Sequence, residues 1–224
     1  MKFNIAIDGP AGAGKSTIAK RVAAQLGFMY VDTGAMYRTI AVYLLREQVD
    51  CENEALLAKA LDKISIGMKY GDGQQRMLLN GEDVTGLIRT QEVGQMASIS
   101  SAKAIVREKL LALQRGLAAE NEVIMDGRDI GTRILPDADL KIYLTASTEA
   151  RARRRFLELE QKGEHPSLEQ IEAEIRERDT RDMNRSVAPL KQAEDAVLVD
   201  SSDMSIEQVT DRIVSLAKEK MQWK

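Results

Sequence analysis

The sequence predicts an α/β fold: a doubly wound sheet of five parallel strands flanked by helices, interrupted by a small antiparallel β insert. Three observations predict it. Short apolar runs alternate with stretches of helical periodicity, the loop after the first run reads "GPAGAGKS", and one central segment carries hairpin signals foreign to a parallel sheet.

Taken in order, "FNIAIDG" is a short buried strand ending in a glycine-rich loop, followed by a helix in which Ile18, Val22 and Leu26 recur at four-residue spacing until Gly27 closes it. "FMYVD" is the second strand, and "TGAMYR" opens a helix that runs through Leu45. After a helix at 53–62, "KISIGMKYGDGQQRMLLNGEDVTG" gives two strand-like runs separated by "GDG" and followed by "NG", both hairpin dipeptide signals. An antiparallel meander inside a parallel pattern reads as an inserted subdomain of about 40 residues. A long helix over 101–119 precedes two further buried strands, "EVIMDG" and "DLKIYLT". Ser147 starts an arginine-rich helix, and "SLEQ" at 167–170 is a capping box before Leu168, Ile171 and Ile175. "AVLVDSS" is the last strand, and "SIEQ" a second capping box before Ile206, Val209, Ile213 and Leu216. No repeat and no low-complexity linker interrupts the chain, so a single domain of 1–224 is expected.

Bulk composition narrows the function classes. With 44% hydrophobic and 30% charged residues, 224 residues suffice for a sizeable core. No run approaches the roughly 18 apolar residues of a membrane span, and "MKFNIAIDG" has none of the parts of a signal peptide, so no membrane partner and a cytoplasmic location are expected. One cysteine, Cys51, excludes an internal disulfide and a Cys-cluster zinc site; it reads as an inert helix-end residue. A net charge of −3 argues against nucleic acid as a general partner. Arginines nevertheless crowd into "RARRR" (151–155) and "RERDTRDMNR" (176–185), patches suited to an anionic small molecule.

"GPAGAGKS", from Gly9 through Pro10, Ala11, Gly12, Ala13 and Gly14 to Lys15 and Ser16, matches the phosphate-binding loop GxxxxGK(S/T), and Thr17 follows it. The glycines let backbone N–H groups converge on an anion, the following helix adds its positive end, Lys15 neutralises phosphate oxygens and the Ser16 hydroxyl suits magnesium. A strand before the motif and a helix after it are the context it requires. A regulatory GTPase would share the loop. Here, however, the DxxG letters at 83–86 lie in the hairpin insert and no NKxD occurs.

Ligands of open α/β sheets sit at the carboxyl ends of the strands, and those ends carry chemistry here. Asp126 ends an apolar strand in "DGRDIGT", the place for a carboxylate that acts on magnesium directly or through water. Thr33, Tyr37 and Arg38 open the helix after the second strand; taken alone, a capped helix with Asp32 or Thr33 as N-cap and Tyr37 in the core is the better explanation. Arg178, Asp182 and Arg185 share one helix face, with Arg181 beside them. A solvated, salt-bridged helix is the competing explanation, supported by Glu174 with Arg178 and Glu177 with Arg181, whereas like charges at Arg181 and Arg185 weigh against it.

The strings "GPAGAGKST", "DTGAMYR", "RTQEV", "DGRDIGT", "PDADLKIYL", "RARRR" and "RDTRDMNRSVAPL", in this order over nearly the full chain, resemble the bacterial cytidylate kinases. The resemblance implies transfer of the γ-phosphoryl group of ATP, with Mg2+, to CMP or dCMP by a monomer. It implies the P-loop kinase fold with a helical lid: a core of 1–32, 105–150 and 168–224, an acceptor-binding part with the β insert at 33–104, and a lid at 151–167. It further implies that Arg128 and Arg185 hold the acceptor phosphate, that Asp129, Ser98 and Arg107 read the cytosine, and that Arg178 and Asp182 face the sugar. Thr33, Tyr37 and Arg38 would line the same pocket, and Arg151, Arg154 and Arg155 match the lid arginines that contact ATP. Lys15, Arg128, Arg154 and Arg185 would be the catalytic cations. Where the family often has Ser, this chain has Thr33, which keeps the hydroxyl. The chemistry is consistent: cytosine offers an N4 amino donor that a carboxylate accepts, and a guanidinium donates to O2 and N3. The acceptor nucleophile, a phosphate oxygen, is already anionic, so no general base is needed and the lone His165 is expected at the surface.

Overall fold

The structure is a computed structural model that describes residues 2–71, 74–161 and 163–222. The chain divides into two compact units, one made of 1–30 and 118–224 and the other of 31–117.

The first unit is built on a five-stranded sheet. β1 (Asn4–Asp8), β2 (Met29–Asp32), β6 (Val123–Gly127), β7 (Leu140–Thr145) and β8 (Val197–Asp200) lie in the order β2-β6-β1-β7-β8, with β1 central. β1 runs parallel to β6 and β7, and β7 parallel to β8. The expected parallel sheet is therefore present. Helices α1 (Lys15–Leu26) and α8 (Ile206–Gln222) pack on it, and Ile5, Ile7, Ile18, Val22, Ile124, Ile142, Leu144, Val209 and Ile213 form the core, as the apolar spacing required. α8 starts on a complete capping box: Gln208 N–H donates to Ser205 Oγ at 3.2 Å and Ser205 N–H to Gln208 Oε1 at 2.8 Å. Only half of the other box forms. Ser167 Oγ caps the Gln170 N–H at 3.3 Å, while its own hydroxyl goes to Glu169. Helices α6 (Thr148–Glu160) and α7 (Leu168–Asn184) form a hairpin through Ala152, Leu159, Ile171, Ile175 and Phe156. Lys162, within the expected lid, lies outside the described residues.

The second unit holds α2 (Thr33–Arg46), α3 (Glu54–Asp62), α4 (Gln91–Ser100), α5 (Ala104–Glu120) and a three-stranded antiparallel sheet of β3 (Ile66–Gly71), β4 (Gln74–Leu79) and β5 (Glu82–Asp83). The expected insert is thus a three-stranded meander. Asp72 and Gly73 of the "GDG" turn lie outside the described residues. The "NG" turn has positive φ at both Asn80 (51°) and Gly81 (88°), the backbone a two-residue hairpin with the right twist demands. α2 packs on α4 and on the meander, burying Met36, Ile40, Leu44, Met77 and Val93. α4 was not expected: the sequence predicts one helix over 101–119, and the structure has a ten-residue helix before it, capped by Thr90, whose Oγ accepts from Val93 N–H at 3.3 Å. Cys51 is not at a helix end but in the turn before α3, buried, with its sulfur 3.6 Å from Met96 Sδ.

Candidate active site

In the first unit the loop after β1 is shaped by its glycines. Gly9 has φ 149°, and a Cβ there would sit 1.9 Å from the Leu144 carbonyl oxygen, so no other residue fits. Gly14 caps α1 in the left-handed region and offers no side chain to cap the N–H groups of the first turn, the kind of helix start that suits an anion. Pro10, Ala11 and Ala13 are buried and Gly12 and Thr17 exposed. Lys15 Nζ folds back to the Pro10 carbonyl at 2.7 Å. Burial, and next Arg128, push its ammonium well below its ordinary range, while Asp126 and Asp182 pull the other way.

Ser16 Oγ donates to Asp126 Oδ2 at 2.8 Å, which joins the start of α1 to the end of β6. The Tyr30 hydroxyl donates to Asp126 Oδ1 at 3.0 Å. Tyr30 was not singled out from sequence; its partner lies 96 positions away. No group of three or more His, Cys, Asp or Glu suited to a metal occurs among the described residues. A hydroxyl and a carboxylate oxygen side by side suit Mg2+, which takes one or two protein oxygens and completes its shell with phosphate and water.

After β6 the chain turns through "GRD" into a π-helical turn, Ile130–Ile134, closed by Ile134 N–H to the Asp129 carbonyl at 3.1 Å and Leu135 N–H to Ile130 at 2.7 Å. Such turns are rare and concentrate at functional sites. Its first N–H groups, of Ile130 and Gly131, donate to the two carboxylate oxygens of Asp8 at 2.8 and 2.7 Å. Burial pushes the Asp8 carboxyl up to about 6, against the pull of those two hydrogen bonds. Asp8 is a second residue the sequence reading passed over, although a charge ending "NIAID" is the same signal as the one at Asp126.

Arg128 Nε pairs with Asp182 Oδ2 at 2.8 Å, and Arg185 Nη1 lies 4.0 Å from Asp182 Oδ1. The α7 face read from spacing is real: Asp182 is buried and Arg178 and Arg185 half-buried, while Arg181 is exposed and paired with Glu177. Burial raises the Asp182 carboxyl, but Arg128, then Arg185 and Arg178, outweigh it and hold the group below the usual carboxylate range. Asp129, at 2% exposure, is buried beside this cluster in sequence.

The three arginines of α6 expected to contact ATP, Arg151, Arg154 and Arg155, differ sharply. Arg151 is buried: its guanidinium donates to the carbonyls of Ala11 and Ala146, each at 2.9 Å, to Thr148 Oγ1 at 3.1 Å, and pairs with Asp179 at 2.6 Å. Arg154 holds Ser201 at the end of β8, through Oγ at 3.2 Å and the carbonyl. Arg155 is exposed, 3.2 Å from Glu158, and His165 is exposed.

In the second unit Asp32 is the N-cap of α2, accepting from Ala35 N–H at 2.8 Å and pairing with Arg89 of "RTQEV" at 2.9 Å. Thr33 and Tyr37 are buried and Arg38 half-buried. The Arg107 guanidinium, from α5, lies over the Tyr37 ring at 5.2 Å and donates to the Ser101 carbonyl at 3.1 Å. Ser98 is half-buried on α4. Tyr37 therefore serves the helix as a buried residue and at the same time holds an arginine expected to read the base.

The sequence profile of the family described as cytidylate kinase matches residues 5–219. A curated cytidylate kinase of Caldicellulosiruptor bescii is 50% identical over 215 residues, covering 96% of this chain and 95% of that protein. One of Bacillus cytotoxicus is 48% identical over 221 residues, covering 99% and 98%. Among solved structures, an uncharacterized protein of Eubacterium ventriosum aligns with a TM-score of 0.54 at 12% identity over 97% of this chain and 99% of that one, a likeness of fold alone. The phosphate loop with its Ser16–Asp126 contact, the arginine cluster about Asp182 and a full-length match at half identity agree, and the chain belongs to the cytidylate kinase family.

Proposed function

We propose that the protein transfers the γ-phosphoryl group of ATP to CMP or dCMP, giving ADP and CDP or dCDP. The observation that carries this is the pairing of Arg128 with Asp182 and the nearby Arg185, directly after the strand whose Asp126 meets the phosphate-loop Ser16. Both a donor-phosphate cradle and an acceptor-phosphate clamp are built into one end of the first unit's sheet. Lys15, Arg128, Arg154 and Arg185 are the cations that stabilise charge in an in-line transfer. Gly9 to Thr17 cradle the ATP phosphates; Arg154 and Arg155 reach them from α6, and Arg151 acts on them through the loop carbonyl it holds at Ala11. Ser16 and Asp126 hold Mg2+, which supplies Lewis-acid stabilisation of the transferring phosphoryl when bound. Arg128 and Arg185 bind the CMP phosphate, Arg178 and Asp182 the sugar, and Asp129, Ser98 and Arg107 the cytosine, with Thr33, Tyr37 and Arg38 completing the acceptor set. The segment 151–167 is the lid, 33–104 the acceptor-binding part, and 1–32, 105–150 and 168–224 the core. The protein acts as a monomer in the cytoplasm without nucleic acid; its net charge of −3 supports the last point.

The test is ADP formation measured against CMP, dCMP, UMP, AMP, GMP, shikimate and gluconate. Release that depends on CMP or dCMP supports the proposal. Release driven by shikimate or gluconate, or binding of ATP with no acceptor-dependent release, rejects it.

A further inference from the structure

Asp8 directly precedes Gly9, so its place in the chain would assign it to the ATP side. Its contacts point elsewhere. Both carboxylate oxygens are spent on the N–H groups of Ile130 and Gly131, 122 and 123 residues away, and none of its hydrogen bonds goes to the phosphate loop. A Cβ at Gly131 would stand 3.1 Å from Lys141 Cδ on β7 and 3.4 Å from Asp8 Oδ2 at the end of β1, so the turn packs closely against both side chains. Burying an anion is costly, and Asp8 is 5% exposed. An apolar residue would avoid that cost but leave two buried N–H donors without partners.

We infer that Asp8 is a positioning residue for acceptor binding: from the end of β1 it pins the turn at Ile130 and Gly131 and thereby fixes Arg128 and Asp129, the two side chains that precede it. Arg128 is tied on its other side to Asp182, so the segment is held at both ends. This rests on the proposed CMP kinase function for its consequence, though not for the pinning itself.

Two variants test it. Asp8→Ala removes both acceptors; Asp8→Asn keeps one oxygen and presents an amide to the other N–H. For Asp8→Ala the KM for CMP is expected to rise about tenfold or more with the KM for ATP within about twofold, and Asp8→Asn to fall between, because Arg128 and Asp129 lose the anchor that fixes their placement. Amide hydrogen exchange at Ile130 and Gly131 in Asp8→Asn should accelerate well beyond that of β1 and β6. Equal rises in both KM values, a rise for ATP alone, or an unchanged KM for CMP overturns the inference. So does unchanged exchange protection at the two amides, a readout that needs no turnover. Failure of the unaltered protein to use CMP would instead count against the proposed function, and the exchange result would still decide the pinning.

Discussion

Arg151→Ala should destabilise the protein more than any other arginine change on α6. The Arg151 side chain is 5% exposed and that of Asp179 12%, at 2.6 Å from each other. Removing one partner of a buried ion pair leaves an uncompensated charge, at a cost of about 3–5 kcal/mol. Asp179 Oδ1 already has no hydrogen-bond partner, so the stranded carboxylate has little to fall back on. In a chain of this size about 1 kcal/mol lowers Tm by about 2–4 °C, which gives a fall of about 6–20 °C. The reverse truncation, Asp179→Ala, should cost less, because Arg151 keeps the carbonyls of Ala11 and Ala146 and the Thr148 hydroxyl. Replacing both partners by apolar residues should recover part of the loss. Thermal unfolding followed by circular dichroism measures all three. A fall of less than about 2 °C for Arg151→Ala, or equal falls for the two single variants, would refute the reasoning.

Lys15→Ala should lower turnover by about 10²–10³ without unfolding the chain, because it removes one preorganised cation at the transferring phosphoryl; near-normal turnover in a steady-state assay contradicts the phosphate-loop assignment. Asp129→Ala should raise the KM for CMP far more than that for ATP and narrow the preference for CMP over UMP; equal changes for both substrates would remove Asp129 from base recognition. Asp8 gives a pH signature. Its carboxyl moves from 3.8 to about 6 on folding, so its protonated form is favoured in the folded state. The stability it contributes is full below pH 3.8 and is lost as pH rises through about 6, a swing of about 3 kcal/mol. Stability of the unaltered protein relative to Asp8→Asn should therefore decline from pH 4 to 6 in urea titrations. Lys15, Asp129 and Tyr143 lie near Asp8 but are common to both proteins and largely cancel. A flat difference would contradict the burial cost assigned to Asp8.

What the sequence disclosed was whatever is local. The phosphate loop, the strand ending at Asp126 and the α7 face of Arg178, Asp182 and Arg185 each depend on spacing within a few residues, and all stand in the structure. α4 escaped because Gly94 and the polar opening "QEVGQ" dilute its periodicity. The employment of Arg151 was out of reach for a different reason. Its distance from Ala11 in sequence is 140 residues, and only the packing of α6 against the loop after β1 shows that its guanidinium holds a loop carbonyl and Asp179. The same holds for Tyr30, whose hydroxyl meets Asp126 across neighbouring strands of the sheet. Asp8 lies between the two cases. Its signal, a carboxylate ending a buried strand, was visible, but its partners sit after another strand.

The most direct measurement follows the phosphorus. With ATP, Mg2+ and CMP, phosphorus NMR should show the β-phosphate resonance of CDP growing as ATP is converted to ADP, and no such signal when CMP is replaced by cytidine. Consumption of ATP without CDP, or phosphorylation of cytidine itself, would contradict phosphoryl transfer to the CMP phosphate.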